Sequence, residues 1–256
     1  MKAVAVIGYK NSGKTRVAVS LIKGLVERGF RVAAVKHVHE ELKLPPTDST
    51  KFYEAGAERV IAVSPRAHES VARGELKLWE VLAELRSYDY VIIEGFKKDF
   101  PGAKVVAARN LEEAMELYDP LVIAYSGLMA ESAELRTSSL KAPIIDCVKN
   151  RDELVEIVAK RSFEPPPGLN CGFCRYGSCR ELALAIAGGK GSIEECVVLS
   201  SSVKLKVDGA DVPLNPFVQN VLANVVLGVI RSLKGVNPEP ARVEIKIFKR
   251  KTQLAK

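Results

Sequence analysis

The sequence predicts an α/β fold with a mostly parallel sheet, followed by a small cysteine-bearing module and a small α+β unit. Short apolar runs alternate with helical patterns over the first 160 residues, and such alternation is typical of strand–helix–strand units in a parallel sheet. Four cysteines then lie within residues 171–196. A chain of 256 residues has room for one large domain with smaller attachments.

The apolar runs and the helical patterns follow one another in order along the chain. The predicted strands are residues 3–7, 32–36, 60–63, 90–94, 105–108, 121–125 and 143–146. The predicted helices are residues 15–28, 79–85, 111–117 and 153–160. A proline-rich stretch at residues 164–168 breaks the pattern and predicts a linker. We therefore expect domains at residues 1–163, 169–199 and 200–256, with the linker following the first.

The first predicted strand runs into a glycine-rich motif, Gly8 to Thr15, which fits the pattern G-x-x-x-x-G-K-[S/T] at every fixed position. The flanking strand and helix make this a P-loop, in which backbone N–H groups and the positive helix end hold phosphate oxygens. Lys14 is expected to reach the β- and γ-phosphates, and the Thr15 hydroxyl to ligate Mg²⁺. The predicted fold class is therefore that of a P-loop NTPase. The residues expected to bind the nucleotide are Gly8, Asn11, Ser12, Gly13, Lys14, Thr15 and Arg16.

Glu94 ends the apolar run 90–94, at the edge where a parallel sheet presents its ligand-binding residues. It supplies the second acidic group that the Mg²⁺ side of a P-loop needs, although it could be an ordinary strand-end carboxylate. We expect Lys14 and Glu94 to be the catalytic residues. Thr15 and Glu94 are the residues expected to hold Mg²⁺.

Three more polar residues follow the second predicted strand. His37 and His39 lie two apart, so in an extended chain both face the same way. They could bind phosphate or metal, act as acid–base groups, or be surface residues of a loop. Asp48 lies in a proline-rich stretch, where it could contact Mg²⁺ or the nucleotide, or cap a helix that begins at Ser49.

Taken together, these motifs resemble the molybdopterin-guanine dinucleotide biosynthesis protein B (MobB) family over roughly residues 2–160. The resemblance rests on Gly8–Thr15, Lys36–His39, Asp48-Ser49 with Glu54–Ala57, and Glu94–Lys97. It implies a GTP-binding protein, often dimeric and weakly hydrolytic, that assists the guanylyltransferase attaching GMP to molybdopterin in molybdenum or tungsten cofactor synthesis. Guanine preference is implied by the resemblance alone, because the sequence has no Asn-Lys-x-Asp element; Lys149–Asp152 has similar residues in another order.

Cys171, Cys174, Cys179 and Cys196 form the pattern C-x2-C-x4-C-x16-C. Four thiolates suit a [4Fe–4S] cluster or tetrahedral zinc, and the single C-x2-C pair favours the cluster because structural zinc sites usually combine two. The segment resembles the small iron–sulfur domain of electron-transfer and carbon monoxide dehydrogenase-associated proteins, which implies a [4Fe–4S] cluster on these cysteines. The cluster could pass electrons, sense oxygen, staple the module, or dock a molybdenum or tungsten enzyme. We favour stapling plus docking.

Residues 200–256 predict a small α+β unit with strands at 203–207 and 242–248. Between them, Asn215-Pro216 is a favourable helix start, as an N-cap followed by proline at the first helical position. The helix is expected to run to about Lys234 and to end at Gly235. Its apolar face could pack on these strands or form a dimer or partner interface.

The net charge of +7 is spread along the chain, which favours a solvated basic surface and an anionic ligand over a nucleic-acid partner. No stretch reaches the roughly 18–20 apolar residues that a membrane span needs, and no signal peptide is visible. We therefore expect a cytoplasmic protein that binds neither nucleic acid nor membrane.

The leading hypothesis is a GTP-binding accessory protein of molybdenum or tungsten cofactor synthesis. Its cofactors would be GTP, Mg²⁺ and a [4Fe–4S] cluster, and its partners molybdopterin guanylyltransferase, a molybdenum or tungsten enzyme, and a second copy of itself. It would be a weak GTPase acting with that guanylyltransferase. The alternatives are a metal-centre maturation ATPase and a non-hydrolysing, nucleotide-dependent adaptor.

Overall fold

A computed structural model of the chain describes residues 1–38, 40–131, 140–207, 210–212 and 214–248, with the backbone alone at 210 and 211. The chain forms two compact units, residues 1–199 and 200–256. The strands are β1 (Lys2–Ile7), β2 (Val32–Lys36), β3 (Arg59–Val63), β4 (His68–Ala72), β5 (Tyr90–Glu94), β6 (Ala103–Ala107), β7 (Val122–Ser126), β8 (Leu205–Val207) and β9 (Ala210–Val212). The helices are α1 (Lys14–Glu27), α2 (Asp48–Glu54), α3 (Leu78–Glu84), α4 (Leu111–Glu116), α5 (Arg151–Arg161), α6 (Cys179–Ala187) and α7 (Pro216–Ser232).

The first unit is built on a five-stranded sheet of order β2-β5-β1-β6-β7, in which all neighbouring strands are parallel. The predicted α/β class with a mostly parallel sheet is confirmed. One face packs against α1 and α5, through side chains such as Leu21 and Leu154. The other face packs against α3 and α4, through side chains such as Leu82 and Leu117. All five strands therefore end at the same edge as β1, which leads into the P-loop.

Two of the predicted strands lie outside this sheet or at its margin. Residues 59–63 form β3, which pairs antiparallel with β4 in a separate hairpin. The run at 143–146 makes only an isolated bridge, between Ile144 and Tyr125 of β7. Pro143 has no N–H to donate, which limits this segment to the margin of the sheet.

The proline-rich segment at 164–168 lies within the first unit and packs against its neighbours there. Pro165 and Pro166 are buried. Phe163, just before them, bridges to Ala3 of β1, and Glu164 pairs with Arg86 at 3.5 Å. These contacts therefore anchor the chain just before the cysteine-bearing residues. The bounds of the predicted domains within the first unit stay a prediction.

The second unit contains the β8–β9 hairpin and α7. The Asn215 side chain caps α7 by accepting a hydrogen bond from Val218 N at 2.8 Å, with Pro216 at the first turn. The expected strand at residues 242–248 is wrong. Glu244 pairs with Arg242 and Lys246 along the segment itself, and no partner strand lies beside it among the described residues. Alternation alone does not form a strand without a partner. None of the described helices is long and apolar enough to cross a membrane.

Candidate functional site

The P-loop curls tightly because glycines stand where side chains would collide. A Cβ atom at Gly8 would clash with the Ala107 carbonyl oxygen of β6. Gly13 has φ 92°, a left-handed conformation that glycine adopts without strain, and α1 begins directly after it. Asn11 also has a positive φ, of 62°. The loop therefore presents successive backbone N–H groups toward one concavity, the arrangement that binds phosphate oxygens.

Lys14 lies across the mouth of this loop. Its Nζ donates a hydrogen bond to the Tyr9 carbonyl oxygen at 2.6 Å. Burial lowers the pKa of Lys14, the Glu94 carboxylate opposes this, and nearby Lys36 lowers it further. A partly desolvated ammonium in such a loop is suited to an anionic ligand.

Thr15 and Glu94 meet at the carboxyl edge of the sheet. Thr15 Oγ1 donates to the carboxylate of Glu94, at 3.0 Å from both Oε1 and Oε2. The contact follows from the register, because Glu94 pairs with Val6 of β1 just before the P-loop. A hydroxyl and a carboxylate side by side are oxygen ligands of the kind that Mg²⁺ prefers.

Ser12 is fully buried within the loop, and its Oγ has no hydrogen-bond partner among the described residues. A buried hydroxyl without a partner is uncommon and calls for an explanation such as an unseen ligand. Arg16 pairs with Glu131. The structure thus brings Ser12, Lys14, Thr15 and Glu94 together, whereas the described contact of the Arg16 side chain is with Glu131.

His37 lies beside Glu94 but not as an exposed loop side chain. Its backbone N–H donates to the Glu94 carbonyl at 2.9 Å, and its ring stacks on Phe96 with centroids 4.2 Å apart. Gly95, at φ 108°, leaves room for this stack, since a Cβ there would lie 2.8 Å from His37 Cβ. The other histidine of the pair, His39, lies outside the described residues.

Asp48 does not take the N-cap position, which was one of the two roles that the sequence left open for it. The helix α2 begins at Asp48 itself, with Thr47 in the N-cap position. The Asp48 carboxylate pairs with Lys51 at 2.9 Å, and both side chains are exposed. An acidic residue in the first turn of a helix is stabilised by the helix dipole, which accounts for its place there. Among the described contacts, none joins Asp48 to the P-loop.

Gly127, which lies outside the quoted motifs, and three residues within them to which the sequence assigned no role also border the site. Gly127 follows β7 with φ 85°, and a Cβ there would clash with the Ser12 carbonyl. Lys97 Nζ lies 4.2 Å from the centroid of the Tyr9 ring, whose hydroxyl donates to Glu116. Lys36 of β2 lies opposite Glu94 of β5 in the register of the sheet. A Ser-Gly pair at a strand end was the available signal for Gly127, whereas the others depend on contacts distant in sequence.

The four cysteines lie on turns around the start of α6. Gly172 and Gly177 both have φ 73°, so the backbone between them turns tightly. Asn170 and Cys179 are joined twice, since Asn170 N donates to Cys179 Sγ at 3.4 Å and Cys179 N donates to Asn170 Oδ1 at 3.0 Å. Cys179 and Cys196 are buried, and Cys171 and Cys174 are half-buried.

Burial raises the pKa of Cys179, and hydrogen bonds from the backbone N–H groups of Asn170 and Gly168 oppose the rise. Burial also raises the pKa of Cys196, and hydrogen bonds from the backbone N–H groups of Leu199 and Val198 oppose the rise. N–H groups directed at buried sulfurs suit thiolates that bind a metal centre. No three His, Cys, Asp and Glu side chains of the described residues converge on the position of one metal ion, so spacing, burial and these N–H groups carry the case for a cluster.

A brace of side chains holds the segment of Cys196 against the first three cysteines. Tyr176 donates its hydroxyl hydrogen to Glu195 Oε2 at 2.7 Å, and Arg175 pairs with Glu195 Oε1 at 2.6 Å. Ser192 N also donates to Glu195, at 2.9 Å. Glu195 therefore ties the segment just before Cys196 to the turn that carries Arg175 and Tyr176.

Comparison with known proteins matches residues 3–126 to the family "Molybdopterin guanine dinucleotide synthesis protein B" (MobB), and residues 167–198 to the family "Putative Fe-S cluster". A Methanocaldococcus jannaschii protein named "Putative molybdopterin-guanine dinucleotide biosynthesis adapter protein" is 30% identical over an alignment 256 residues long, gaps included, that covers 98% of this chain and 100% of that protein. The chain belongs to the MobB family. The resemblance in the sequence is thereby confirmed, including its fusion to a second, cysteine-bearing segment.

Two further MobB relatives match smaller shares of the chain. The Escherichia coli "Molybdopterin-guanine dinucleotide biosynthesis adapter protein" is 30% identical over 115 residues, 42% of this chain and 65% of its own length. A crystal structure of Bacillus subtilis MobB has 25% identity and a TM-score of 0.52, covering 64% of this chain and 99% of that one. The P-loop fold is thus that of MobB, and the chain continues beyond it.

Proposed function

We propose that this MobB-family protein is a GTP-binding adapter in molybdopterin-guanine dinucleotide biosynthesis, and that it carries a [4Fe–4S] cluster on Cys171, Cys174, Cys179 and Cys196. Its relatives are named as adapter proteins of that synthesis. The observation that carries the proposal is the contact of Thr15 with Glu94 beside the Lys14 ammonium, in a P-loop at the centre of the sheet.

The nucleotide would lie on the carboxyl edge of the sheet. Backbone N–H groups of the loop and the Lys14 ammonium would bind the phosphates, and a phosphate oxygen would give the Ser12 hydroxyl its missing partner. Thr15 and Glu94 would hold Mg²⁺ through their hydroxyl and carboxylate oxygens, the kind of ligand that this ion prefers. Mg²⁺ would neutralise phosphate charge there.

Hydrolysis by this arrangement would be slow. Efficient phosphoryl transfer needs cations that stabilise the charge on the γ-phosphate, and an added arginine is worth roughly 10³–10⁵-fold in rate. The Arg16 guanidinium pairs with the Glu131 carboxylate, which offsets its positive charge. A protein that binds GTP firmly and hydrolyses it slowly suits an adapter. Its loops would present a surface to a partner, which we propose is the molybdopterin guanylyltransferase.

The four cysteines fit an iron–sulfur cluster through their thiolates and the N–H groups directed at Cys179 and Cys196. A bound cluster supplies covalent cross-links and a one-electron redox couple. The chain's own residues bring Cys196 to the other three through the Glu195 brace. We propose that the cluster staples this module and thereby maintains a docking surface.

The test is isothermal titration of anaerobically purified full-length protein with GTP and ATP, with and without Mg²⁺. We expect GTP to bind more tightly than ATP, Mg²⁺ to strengthen binding, and Lys14→Ala to weaken it by at least about 100-fold, as loss of a charge-assisted contact to phosphate predicts. Lys10→Ala is the matched control, because Lys10 lies in the same loop but is exposed.

Three results would contradict parts of the proposal. If neither nucleotide binds, or Lys14→Ala behaves like Lys10→Ala, the P-loop is not the nucleotide site. Preference for ATP, together with a cluster that transfers to a second protein, would favour a metal-centre maturation ATPase. A colourless protein containing zinc would refute the cluster.

A further inference from the structure

We infer that Asp119 is a positioning residue that couples the cysteine module to the nucleotide site, through a network of contacts centred on its ion pairs with Lys104 and Arg180. The inference rests on the proposed function, since it concerns how that cluster and that nucleotide site affect each other. The network joins Arg180, next to Cys179, to Lys104 in β6, and from there reaches Lys14. Its members come from both sides of the proline-rich segment at 164–168.

The centre of the network is a single carboxylate that holds two cations. Asp119 Oδ2 accepts hydrogen bonds from Arg180 Nη1 and from Lys104 Nζ, each at 2.9 Å. Asp119 Oδ1 accepts from Leu121 N, also at 2.9 Å. The side chain of Lys104 is only 1% exposed, and that of Asp119 is 15% exposed. Both oxygens of the Asp119 carboxylate thus accept hydrogen bonds.

The position of Lys104 depends on this carboxylate. A buried ammonium without a paired anion is costly, so Lys104 must stay beside Asp119 while the fold persists. Burial raises the pKa of Asp119, but the hydrogen bonds from Arg180, Lys104 and Leu121 outweigh burial and lower the pKa to about 2. Asp119 is therefore charged at physiological pH, so its buried pair with Lys104 persists, whereas Arg180, whose side chain is 45% exposed, can separate from it when α6 moves.

From Lys104 the contacts continue to the P-loop. Lys104 Nζ also donates to the Lys97 carbonyl oxygen at 3.4 Å. Lys97, three residues after Glu94, places its ammonium 4.2 Å from the centroid of the Tyr9 ring. The Tyr9 carbonyl accepts the hydrogen bond from Lys14 Nζ at 2.6 Å. An unbroken set of contacts thus leads from Arg180 to the cation that would bind the phosphates.

The other end of the network is tied to the cysteines by the chain itself. Cys179 begins α6 and Arg180 follows it directly. A cluster on Cys179 would hold the first turn of α6, and loss of the cluster would release it, with Arg180. Coupling between two ligand sites is reciprocal, so the cluster would change GTP affinity and GTP would change cluster retention.

The test measures GTP dissociation constants by isothermal titration for cluster-loaded protein and for protein whose cluster has been removed anaerobically with a chelator. The variants are Asp119→Asn and Arg180→Gln, with Arg180→Lys as a conservative rescue. Asp89→Asn is the matched control. Asp89 also accepts two hydrogen bonds, both from Arg31, but it lies before β5, at the opposite edge of the sheet.

In the wild type we expect the two dissociation constants to differ by at least about fivefold, the lower end of usual coupling factors. In Arg180→Gln and Asp119→Asn we expect their ratio to fall to about one, with Arg180→Lys partly restoring it and Asp89→Asn keeping it. If Asp119→Asn fails to fold, Arg180→Gln decides, because it leaves the buried Lys104–Asp119 pair in place. A purely structural role would lower thermal stability in both forms and leave the ratio unchanged.

A wild-type ratio of one, or an unchanged ratio in Arg180→Gln, would overturn the inference while leaving GTP binding intact. Failure of GTP to bind either form, or failure of the chain to hold any cluster, would instead refute the proposed function. The reciprocal measurement is the rate of cluster loss, followed by visible absorbance with and without GTP. It should show an effect of GTP in the wild type and none in Arg180→Gln.

Discussion

The nucleotide site and the cysteine module obtain their shape in different ways. The P-loop is formed by backbone at the centre of a buried sheet, with Gly8 and Gly127 fitted against neighbouring strand ends. Between residues 169 and 199, the buried apolar side chains are Cys179, Leu182, Ala183 and Cys196, and two of these four are cysteines. The P-loop is therefore shaped by the core of the protein itself, whereas the cysteine module has few buried apolar side chains to hold its shape.

The largest effect that this contrast predicts is on the cysteine module. Cys196→Ser should remove essentially all bound iron and expose residues 169–199 to limited proteolysis, because a module with so small a core needs its cross-link. GTP binding should persist, within the coupling factor proposed above. Cys147→Ser is the control and should keep its iron, because this fifth cysteine is buried in the core beside the parallel sheet and lies outside the four-cysteine pattern. Full iron content in Cys196→Ser would remove this cysteine from the ligand set.

The second prediction concerns a change in the P-loop that should leave the cysteine module unaffected. Gly8→Ala should weaken GTP binding by about 100-fold or more, since its Cβ would collide with the Ala107 carbonyl and distort the phosphate loop. Iron content should stay unchanged. In the control Gly228→Ala the added Cβ meets open space within α7, so we expect unchanged affinity and a slight gain in stability. Normal titration of Gly8→Ala would show that the loop tolerates a side chain.

The same contrast explains how much the sequence could predict. The P-loop, Glu94 and the parallel sheet follow from local patterns, because glycine spacing and strand-ends are readable in short windows. The pairing of Arg180 with Asp119 spans 61 residues and has no local signal. The failed strand at 242–248 shows the converse, since its alternation has no partner strand among the described residues. Contacts distant in sequence therefore decided the two features that local patterns did not predict, which are the Arg180–Asp119 pair and the failure of residues 242–248 to form a strand.

A third, smaller effect concerns acid stability where the two regions join. The pKa of Asp119 is about 2, below its ordinary 3.8, so its stabilisation is complete above about pH 4 and is lost as the pH falls toward 2. The free energy of unfolding should fall by about 2 kcal/mol more in the wild type than in Asp119→Asn between pH 5 and pH 2. Denaturant titrations at several pH values measure this, and parallel curves would contradict it.

The smallest expected effect is on Mg²⁺. Glu94→Gln keeps the shape of the side chain but removes its charge, so the Mg²⁺-dependent part of GTP affinity should fall by about tenfold, while binding without Mg²⁺ stays near the wild-type value. Glu84→Gln, an exposed carboxylate on α3, is the control. Equal Mg²⁺ dependence in both variants would remove Glu94 from the metal side of the site.

The most direct measurement is a crystal structure of the full chain, purified anaerobically and crystallised with Mg²⁺ and a non-hydrolysable GTP analogue. The account predicts the phosphates on residues 8–15, with Mg²⁺ on the Thr15 hydroxyl beside Glu94. It also predicts a four-iron cluster on the four cysteines. A nucleotide bound away from the P-loop, or a single zinc ion among the cysteines, would contradict it.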